Sequence, residues 1–409
     1  MLLQISGGIT APRGWRAGGV NAGIKAGNQK PDMALLVSDV PAVSAGVYTK
    51  NLVKAAPVTW SSFLTGQYET AQAIIVNSGV ANACTGDEGY KNAIEMAKKT
   101  AECFGLRQEM VLVASTGVIG KQLPMEKITA GIDMLSKSLS AEESAGTLAA
   151  TAIMTTDTEK KEIAVTFTLG DTKVTIGGMC KGSGMIHPNM GTMLGFITTD
   201  VSISKEMLQR ALSSDIEDTF NMVSVDGDTS TNDTVFLLAN GMAGNPRITE
   251  ENADYTKFCA ALRHVTSFLA KRIAEDGEGA TKLLEVVVQN AAQKADAVTL
   301  AKSVACSSLV KSAMYGSDAN WGRVMCALGY AGVEFDPSLT DITFRSSNGS
   351  VQVVRGGMAA EYDEEEATKV LSAPRVSMYI DIKSGNATAT AWGCDLTYDY
   401  VKINADYRS

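Results

Sequence analysis

The sequence predicts an α/β fold, a layered sandwich of mixed β-sheets flanked by helices, and three observations predict it. Segments that alternate apolar and polar residues come in pairs with turn residues between them, the pattern of hairpins. These blocks are separated by pairs of segments with apolar residues at helical spacing. A doubly wound parallel sheet would show single strands and single helices in strict succession instead. Third, 45% of the 409 residues are hydrophobic and 20% are charged, with no low-complexity linker, as in a soluble enzyme with an extensive core.

The elements follow in order. Ala34–Val37 and Ala73–Val76 are short apolar runs that read as buried strands. From about Glu88 a helix carries Ala93, Met96, Ala97, Thr100, Ala101 and Phe104 on one face, and Gly105 is placed to end it. Met110–Ala114 reads as the next strand, and Pro124 opens a helix with Ile128, Ile132, Leu135 and Leu139 on its face. Ser140-Ala-Glu-Glu143 has the form of a capping box for a further helix. Ile163, Val165, Phe167 and Leu169 alternate, turn at Gly170-Asp171, and return through Val174 and Ile176. Tyr255, Phe258, Leu262, Val265, Leu269 and Ile273 mark a long helix, and Leu283–Val288 a buried strand. In the last third, Asn348-Gly349 predicts a type I′ hairpin, and Val376, Met378, Ile380 and Ile382 alternate ahead of a turn at Ser384-Gly-Asn386.

Composition excludes several classes. A net charge of −9 argues against nucleic acid and anionic membrane as partners. Seven cysteines, none in a Cys-x-x-Cys pair, and two histidines give no support for a zinc site. They predict reduced thiols in a cytoplasmic protein. The N-terminus lacks the basic and apolar regions of a signal peptide, and no stretch is long enough to span a bilayer.

The most informative stretch is Met179–Asp200. There Gly191 is followed by Thr192 and then by the apolar run Met193–Ile197, which reads as a buried strand. A small residue followed by Thr at the head of a buried strand is what a self-cleaving N-terminal nucleophile requires. The Thr192 hydroxyl can attack the Gly191 carbonyl, and hydrolysis of the resulting ester frees an α-amine that serves as the hydroxyl's general base. An α-amine titrates near ~8, so it is substantially neutral at physiological pH. Lys181 nearby would lower it further. The chain would then be two fragments, 1–191 and 192–409. Thr116-Gly117, at the end of a buried strand, is the candidate oxyanion hole. Gly117-Val-Ile-Gly-Lys121 lacks the spacing and the trailing hydroxyl of a phosphate loop. Met154-Thr-Thr-Asp-Thr158 offers hydroxyls to a substrate, and Glu275–Lys282 offers acids in a Gly-rich turn. Asp226–Asn232 lacks the last ligand of a calcium loop and reads as a structured, hydroxyl-rich loop. His187 reads as a structural residue ordering the loop before Thr192.

Taken in order, many long stretches closely resemble the ornithine acetyltransferases (glutamate N-acetyltransferases) of arginine biosynthesis. They include Thr10–Gly14, Val37–Pro41, Lys54–Pro57, Val76–Asn82, Ser115–Gly120, Met154–Thr158, Lys181–Met190, Asp276–Lys282, Asp318–Arg323 and Asn404–Tyr407. The resemblance runs over essentially the whole chain. It implies self-cleavage before Thr192 and a ping-pong reaction in which Thr192 takes the acetyl group of N2-acetylornithine and passes it to glutamate. It implies that Thr116 and Gly117 line the oxyanion hole, and that Thr155, Lys181, Thr192, Glu278, Asn404 and Ser409 contact the substrate. It also implies two mixed sheets, an assembly of both fragments as a heterotetramer of two each, and no cofactor. Some members of that family use acetyl-CoA as a further acetyl donor, and the sequence leaves this open. Departures from the family pattern are Gly191 and Gly195 where Ala is usual, and Ser409 where Thr is common. Gly191 is small enough for the attack. The alternatives are a self-processed amidohydrolase or aminopeptidase of related fold, which would hand the acyl group to water, and a binding protein that remains one chain.

Overall fold

Two mixed sheets form, with helices between and outside them. The computed structural model describes residues 2–25, 27, 29–187 and 193–406. In chain order the strands are β1 (Leu3–Ile5), β2 (Trp15–Val20), β3 (Met33–Tyr48), β4 (Thr70–Val80), β5 (Val111–Val118), β6 (Lys161–Leu169), β7 (Thr172–Lys181) and β8 (Leu194–Thr199). They continue as β9 (Val223–Ser224), β10 (Thr234–Ala239), β11 (Leu283–Ala291), β12 (Asp341–Ser346), β13 (Gly349–Arg355), β14 (Met358–Ala359), β15 (Arg375–Asp381) and β16 (Ala387–Cys394). The helices are α1 (Ala56–Gln67), α2 (Gly86–Phe104), α3 (Met125–Ser138), α4 (Glu143–Ala152), α5 (Lys205–Glu217) and α6 (Ala253–Glu275). After these come α7 (Lys294–Cys306), α8 (Ser308–Tyr315), α9 (Trp321–Gly329), α10 (Glu364–Leu371) and α11 (Tyr398–Asp406).

The first sheet runs β1-β6-β7-β8-β10-β3-β4-β5, with β2 also paired to β3. β8 pairs with β10 in parallel at its centre and β4 with β5 in parallel at one end, while β7 with β8 and β10 with β3 are antiparallel. The second runs β14-β13-β12-β15-β11-β16-β9. Helices α1–α4 pack on the first sheet, while α6 lies between the sheets, against β6 and β7 on one side and β11 and β16 on the other. Alternation explains the continuous apolar runs. Leu194, Phe196, Phe236 and Leu238 enter the core under α1–α4, and Ile197, Val235 and Leu237 enter the core that α6 shares with the second sheet. A strand covered on both faces has no solvated side to keep polar.

Most expected elements form where the pattern puts them, among them α2 ending at Gly105 in the left-handed conformation, with φ 63°. Three details differ. Ser140 does not cap α4, because its backbone bridges Ala17 of β2, and its hydroxyl accepts from the Glu142 N–H at 3.1 Å. The tight turn between β12 and β13 is Ser347-Asn348, one residue earlier than expected, with the positive φ (138°) on Gly349. β15 and β16 are not a hairpin, since β11 pairs with both and lies between them. A period-2 pattern sets which face a residue takes and says nothing of which strand lies alongside. Among the described residues no helix is long and apolar enough to cross a membrane.

Candidate active site

The expected site residues come from five separate segments, and a buried ionic hub draws three of these together. Asp157 follows the end of α4, and its side chain is fully buried. It accepts from Lys161 Nζ at 2.7 Å, from the Gly182 N–H at 2.7 Å and from the Thr155 N–H at 3.0 Å. Lys181 Nζ stands 4.0 Å away. Lys161, also with no exposed side-chain surface, reaches on to Asp276 at 2.5 Å. Asp276 accepts in turn from the Thr158 N–H and hydroxyl. Segments 155–158, 181–182 and 276–278 are thus tied by a single lysine and its two carboxylates. Burial pushes the Asp157 carboxyl up, but the Lys181 and Lys161 charges and the hydrogen bonds from Lys161 and the Gly182 N–H outweigh it and hold the group well below the usual range. For Lys161, burial opposes the charge, and Asp157 and Asp276 more than offset that, raising it.

Lys181 at the end of β7 and Thr116 on β5 line a small cavity of about 30 Å3 together with Gly184, Met193, Leu194, Ser230, Asn232 and Asp233. This cavity opens at the head of β8. Its walls are held by Asn232, whose Nδ2 donates to Ser115 O at 2.8 Å and to Ala81 O at 2.6 Å. Thr116 and Gly117 do not follow the strand, as expected, but lie within it. β5 continues to Val118, and the irregularity is in the pairing with β4 at Gly79-Val80. Gly117 has φ 127°, and a Cβ there would stand 2.3 Å from the Gly79 carbonyl carbon, so both conformation and contact require glycine.

Glu278 lies against the Ser183-Gly184 segment that follows β7. Its N–H donates to Ser183 O at 2.8 Å, and its carboxylate accepts from Asn404 Nδ2 at 2.8 Å. The carboxylate lies flat on Gly184, where a Cβ would be 2.3 Å from its carboxyl carbon. Asn404 is carried by α11, whose start packs on Gly279. Thr116 and Lys181 therefore share one cavity, the Thr155 backbone is joined to Lys181 through Asp157, and Glu278 with Asn404 adjoins that cavity at Gly184. Gly191, Thr192 and Ser409 lie outside the described residues.

The chain on both sides of residues 188–192 is firmly held. Upstream, Asp226 accepts from the Met185 and Ile186 N–H groups at 2.6 and 2.8 Å, and the Thr229 hydroxyl donates to His187 O at 2.8 Å. The hydroxyl-rich loop thus has a structural role. His187 Nδ1 meets Ser224 Oγ at 3.1 Å and Cys306 Sγ at 3.4 Å, and burial lowers its pKa to about 4, leaving it neutral. Downstream, the Thr234 N–H donates to Met193 O at 2.9 Å. No group of three or more His, Cys, Asp or Glu side chains is placed to hold a metal among the described residues. A larger cavity, about 660 Å3, opens behind Gly277 and Gly279. Its Arg272 is engaged by Glu159 and Glu275, and Asp399, Lys402 and Asp406 of α11 also line it.

Sequence reasoning missed Lys161, Asp157 as a hub and Asp233. Lys161 did carry a signal, because it shares the parity of Ile163, Val165, Phe167 and Leu169 and so falls on the inward face of β6.

A layered α/β enzyme with two mixed sheets is the class that this fold and site define. The chain belongs to the ArgJ family, whose model matches residues 16–409. It is 53% identical over 408 residues to the arginine biosynthesis bifunctional protein ArgJ of Symbiobacterium thermophilum, covering 99% of each chain. To the ArgJ 1 protein of Clostridium acetobutylicum it is 51% identical over 395 residues, covering 97% of this chain and 96% of that one. Among solved structures, the ornithine acetyltransferase of Mycobacterium tuberculosis complexed with ornithine is 40% identical, with a TM-score of 0.44, over 46% of this chain and 100% of that one.

Proposed function

We propose that this chain is an acetyltransferase of arginine biosynthesis that moves the acetyl group of N2-acetylornithine to L-glutamate through an acetyl ester on Thr192. The observation that carries the reading is the cavity at the head of β8 that Lys181 and Thr116 line with Gly184, against which Glu278, paired with Asn404, lies. A lysine suits a substrate's α-carboxylate, and Glu278 with Asn404 suits the ammonium of an ornithine side chain. Membership in the ArgJ family supports the same reaction class.

In this reading the chain first cuts itself between Gly191 and Thr192, giving fragments 1–191 and 192–409. The freed α-amine takes the Thr192 hydroxyl proton as Oγ attacks the acetyl carbonyl. The Thr116 hydroxyl and Gly117 N–H stabilise the oxyanion, and the ornithine nitrogen leaves with the proton. Glutamate's amine then attacks the ester, and Thr192 Oγ recovers its proton. Lys181, Glu278, Asn404, Thr155 and Ser409 hold each amino acid in turn. Both fragments stay together, as a heterotetramer in the cytoplasm, and no bound cofactor takes part. The relatives' description as bifunctional supports testing acetyl-CoA as a second donor.

The test is to supply N2-acetylornithine with and without glutamate. Ornithine release that requires glutamate supports transfer, whereas release that ignores glutamate points to a hydrolase. Acetyl-CoA with glutamate, followed by free thiol, reads the second donor. Mass spectrometry of active enzyme should find a new N-terminus at Thr192, and an intact 191–192 bond would sink the mechanism.

A further inference from the structure

The site as described offers a substrate one cation, Lys181, and one acid, Glu278. That set suits ornithine, which carries one carboxylate and a side-chain ammonium. Glutamate carries a second carboxylate, which Glu278 repels. Of the cations around Asp157 and Asp276, Lys161 is paired with both, and Arg272 is paired with Glu159 and Glu275. Lys402 of α11 faces the separate cavity behind Gly277 and Gly279. Lys25 is placed differently. It forms no ion pair among the described residues, and its Nζ makes one hydrogen bond there, to Met154 O at 2.6 Å.

The position of Lys25 is fixed along its length. The buried Asp32 carboxylate accepts from the Ala22 and Ile24 N–H groups, each at 2.6 Å, and from the Lys25 N–H at 3.2 Å. A Cβ on Gly79 would stand 2.9 Å from Lys25 Cγ, and one on Gly117 would stand 2.3 Å from the Gly79 carbonyl carbon. The lysine stem therefore packs on Gly79, the residue that backs the Thr116-Gly117 segment. Its head reaches a second wall of the site. Met154 O belongs to the same peptide group as the Thr155 N–H, which donates to Asp157 Oδ2 at 3.0 Å. Lys181 Nζ stands 4.0 Å from that same oxygen. These links, with the width of a peptide group, cap the distance between the two ammonium groups at roughly 12 Å. An extended glutamate holds its carboxylates roughly 5 Å apart, and with a charged hydrogen bond of about 2.8 Å at each end it can bridge two ammonium groups within that limit. Lys25 is half-buried, and burial lowers its pKa to about 8, with Asp32 opposing and Lys181 adding to the shift. An incoming anion favours the charged form of such a group.

We propose that Lys25 binds the side-chain carboxylate of the glutamate acceptor while Lys181 binds its α-carboxylate, so that Lys25 sets the choice of acceptor. The assignment rests on the reading that glutamate takes the acetyl group.

The experiment measures transfer from N2-acetylornithine to glutamate, or to its uncharged isostere glutamine, by the wild-type enzyme, Lys25→Gln and Lys25→Arg. In a ping-pong reaction kcat/KM for the donor and kcat/KM for the acceptor report separate half-reactions. Lys25→Gln should lower kcat/KM for glutamate about tenfold to hundredfold, as for one lost charged hydrogen bond, and far more than kcat/KM for N2-acetylornithine. The preference for glutamate over glutamine should shrink by the same factor, and Lys25→Arg, which keeps the charge, should keep most of it. Equal losses for donor and acceptor would make Lys25 a mere support for Thr155 through Met154 and overturn the assignment, as would an unaltered glutamate preference in Lys25→Gln. Wild-type enzyme that takes glutamine as readily as glutamate overturns it without recourse to any variant. Ornithine release that ignores glutamate in the wild type overturns instead the reading on which the assignment rests.

Discussion

At the floor of the site Lys161 holds Asp157 at 2.7 Å and Asp276 at 2.5 Å, and its side chain has no exposed surface. At the rim Glu278 meets Asn404 at 2.8 Å on α11, a helix with no buried residue. Both regions use carboxylates and nitrogen donors. The floor spends them on each other, so that geometry is fixed before any substrate arrives. The rim leaves them in reach of a ligand. Buried charges strongly coupled to one another hold a framework in one arrangement, while solvated ones can exchange water for substrate at little expense.

The largest effect expected from breaking this contrast is at the floor. Lys161→Ala leaves Asp276 without its lysine and Asp157 with only the more distant Lys181, and should lower stability by about 3–5 kcal/mol. Denaturant unfolding measures it, and a loss under about 1 kcal/mol would rank the hub with surface pairs. Next comes the seam between floor and rim. Gly184→Ala puts a Cβ 2.3 Å from the Glu278 carboxyl carbon, so that carboxylate must move. We expect KM for N2-acetylornithine to rise about tenfold or more, as for one lost charged hydrogen bond, with the fold intact by circular dichroism. At the rim, Asn404→Ala should raise KM severalfold, and its effect on stability should stay within about 0.5 kcal/mol. An equal loss of kcat would instead place Asn404 among transition-state contacts.

The smallest effect is that of mild acid. The Asp157 carboxyl is held below its ordinary value, so its stabilisation is present above the unfolded pKa of about 4 and fades only as pH falls through the lower folded value. Lys161 is raised, so its contribution is complete below its unfolded value and is lost as pH climbs through the folded one. Melting temperature should therefore show no loss from this hub between about pH 5 and 9. A fall within that window that Lys161→Ala abolishes would contradict it.

Much of this was legible in the amino-acid order. The strand from Leu283, the long helix ending near Glu275, and the β6–β7 hairpin follow from periodicity, because each has a face that must be buried. Thr116, Lys181 and Glu278 were readable as candidate site residues, since their segments carry turn glycines and the resemblance to a known family. Strand order was not legible. β11 separates β15 from β16, a partnering between residues about 100 apart that local pattern does not encode. Asp233 was hidden for a different reason, because an acid beside an apolar run reads as a strand boundary until the parallel partner strand is placed against it.

One feature of the first sheet reaches further. β8 and β10 are laid between β7 and β3, so strands from beyond residue 193 are laced between strands from before residue 187. Opening the backbone between those points would leave two polypeptides that cannot part without dissolving the centre of the sheet. Reassembly after denaturation would then be second order and would slow on dilution, whereas an uncut Thr192→Ala chain would refold at a rate indifferent to concentration. A cut molecule would owe its working lifetime to the height of the barrier against coming apart, because the tether that once returned its halves to each other would be gone.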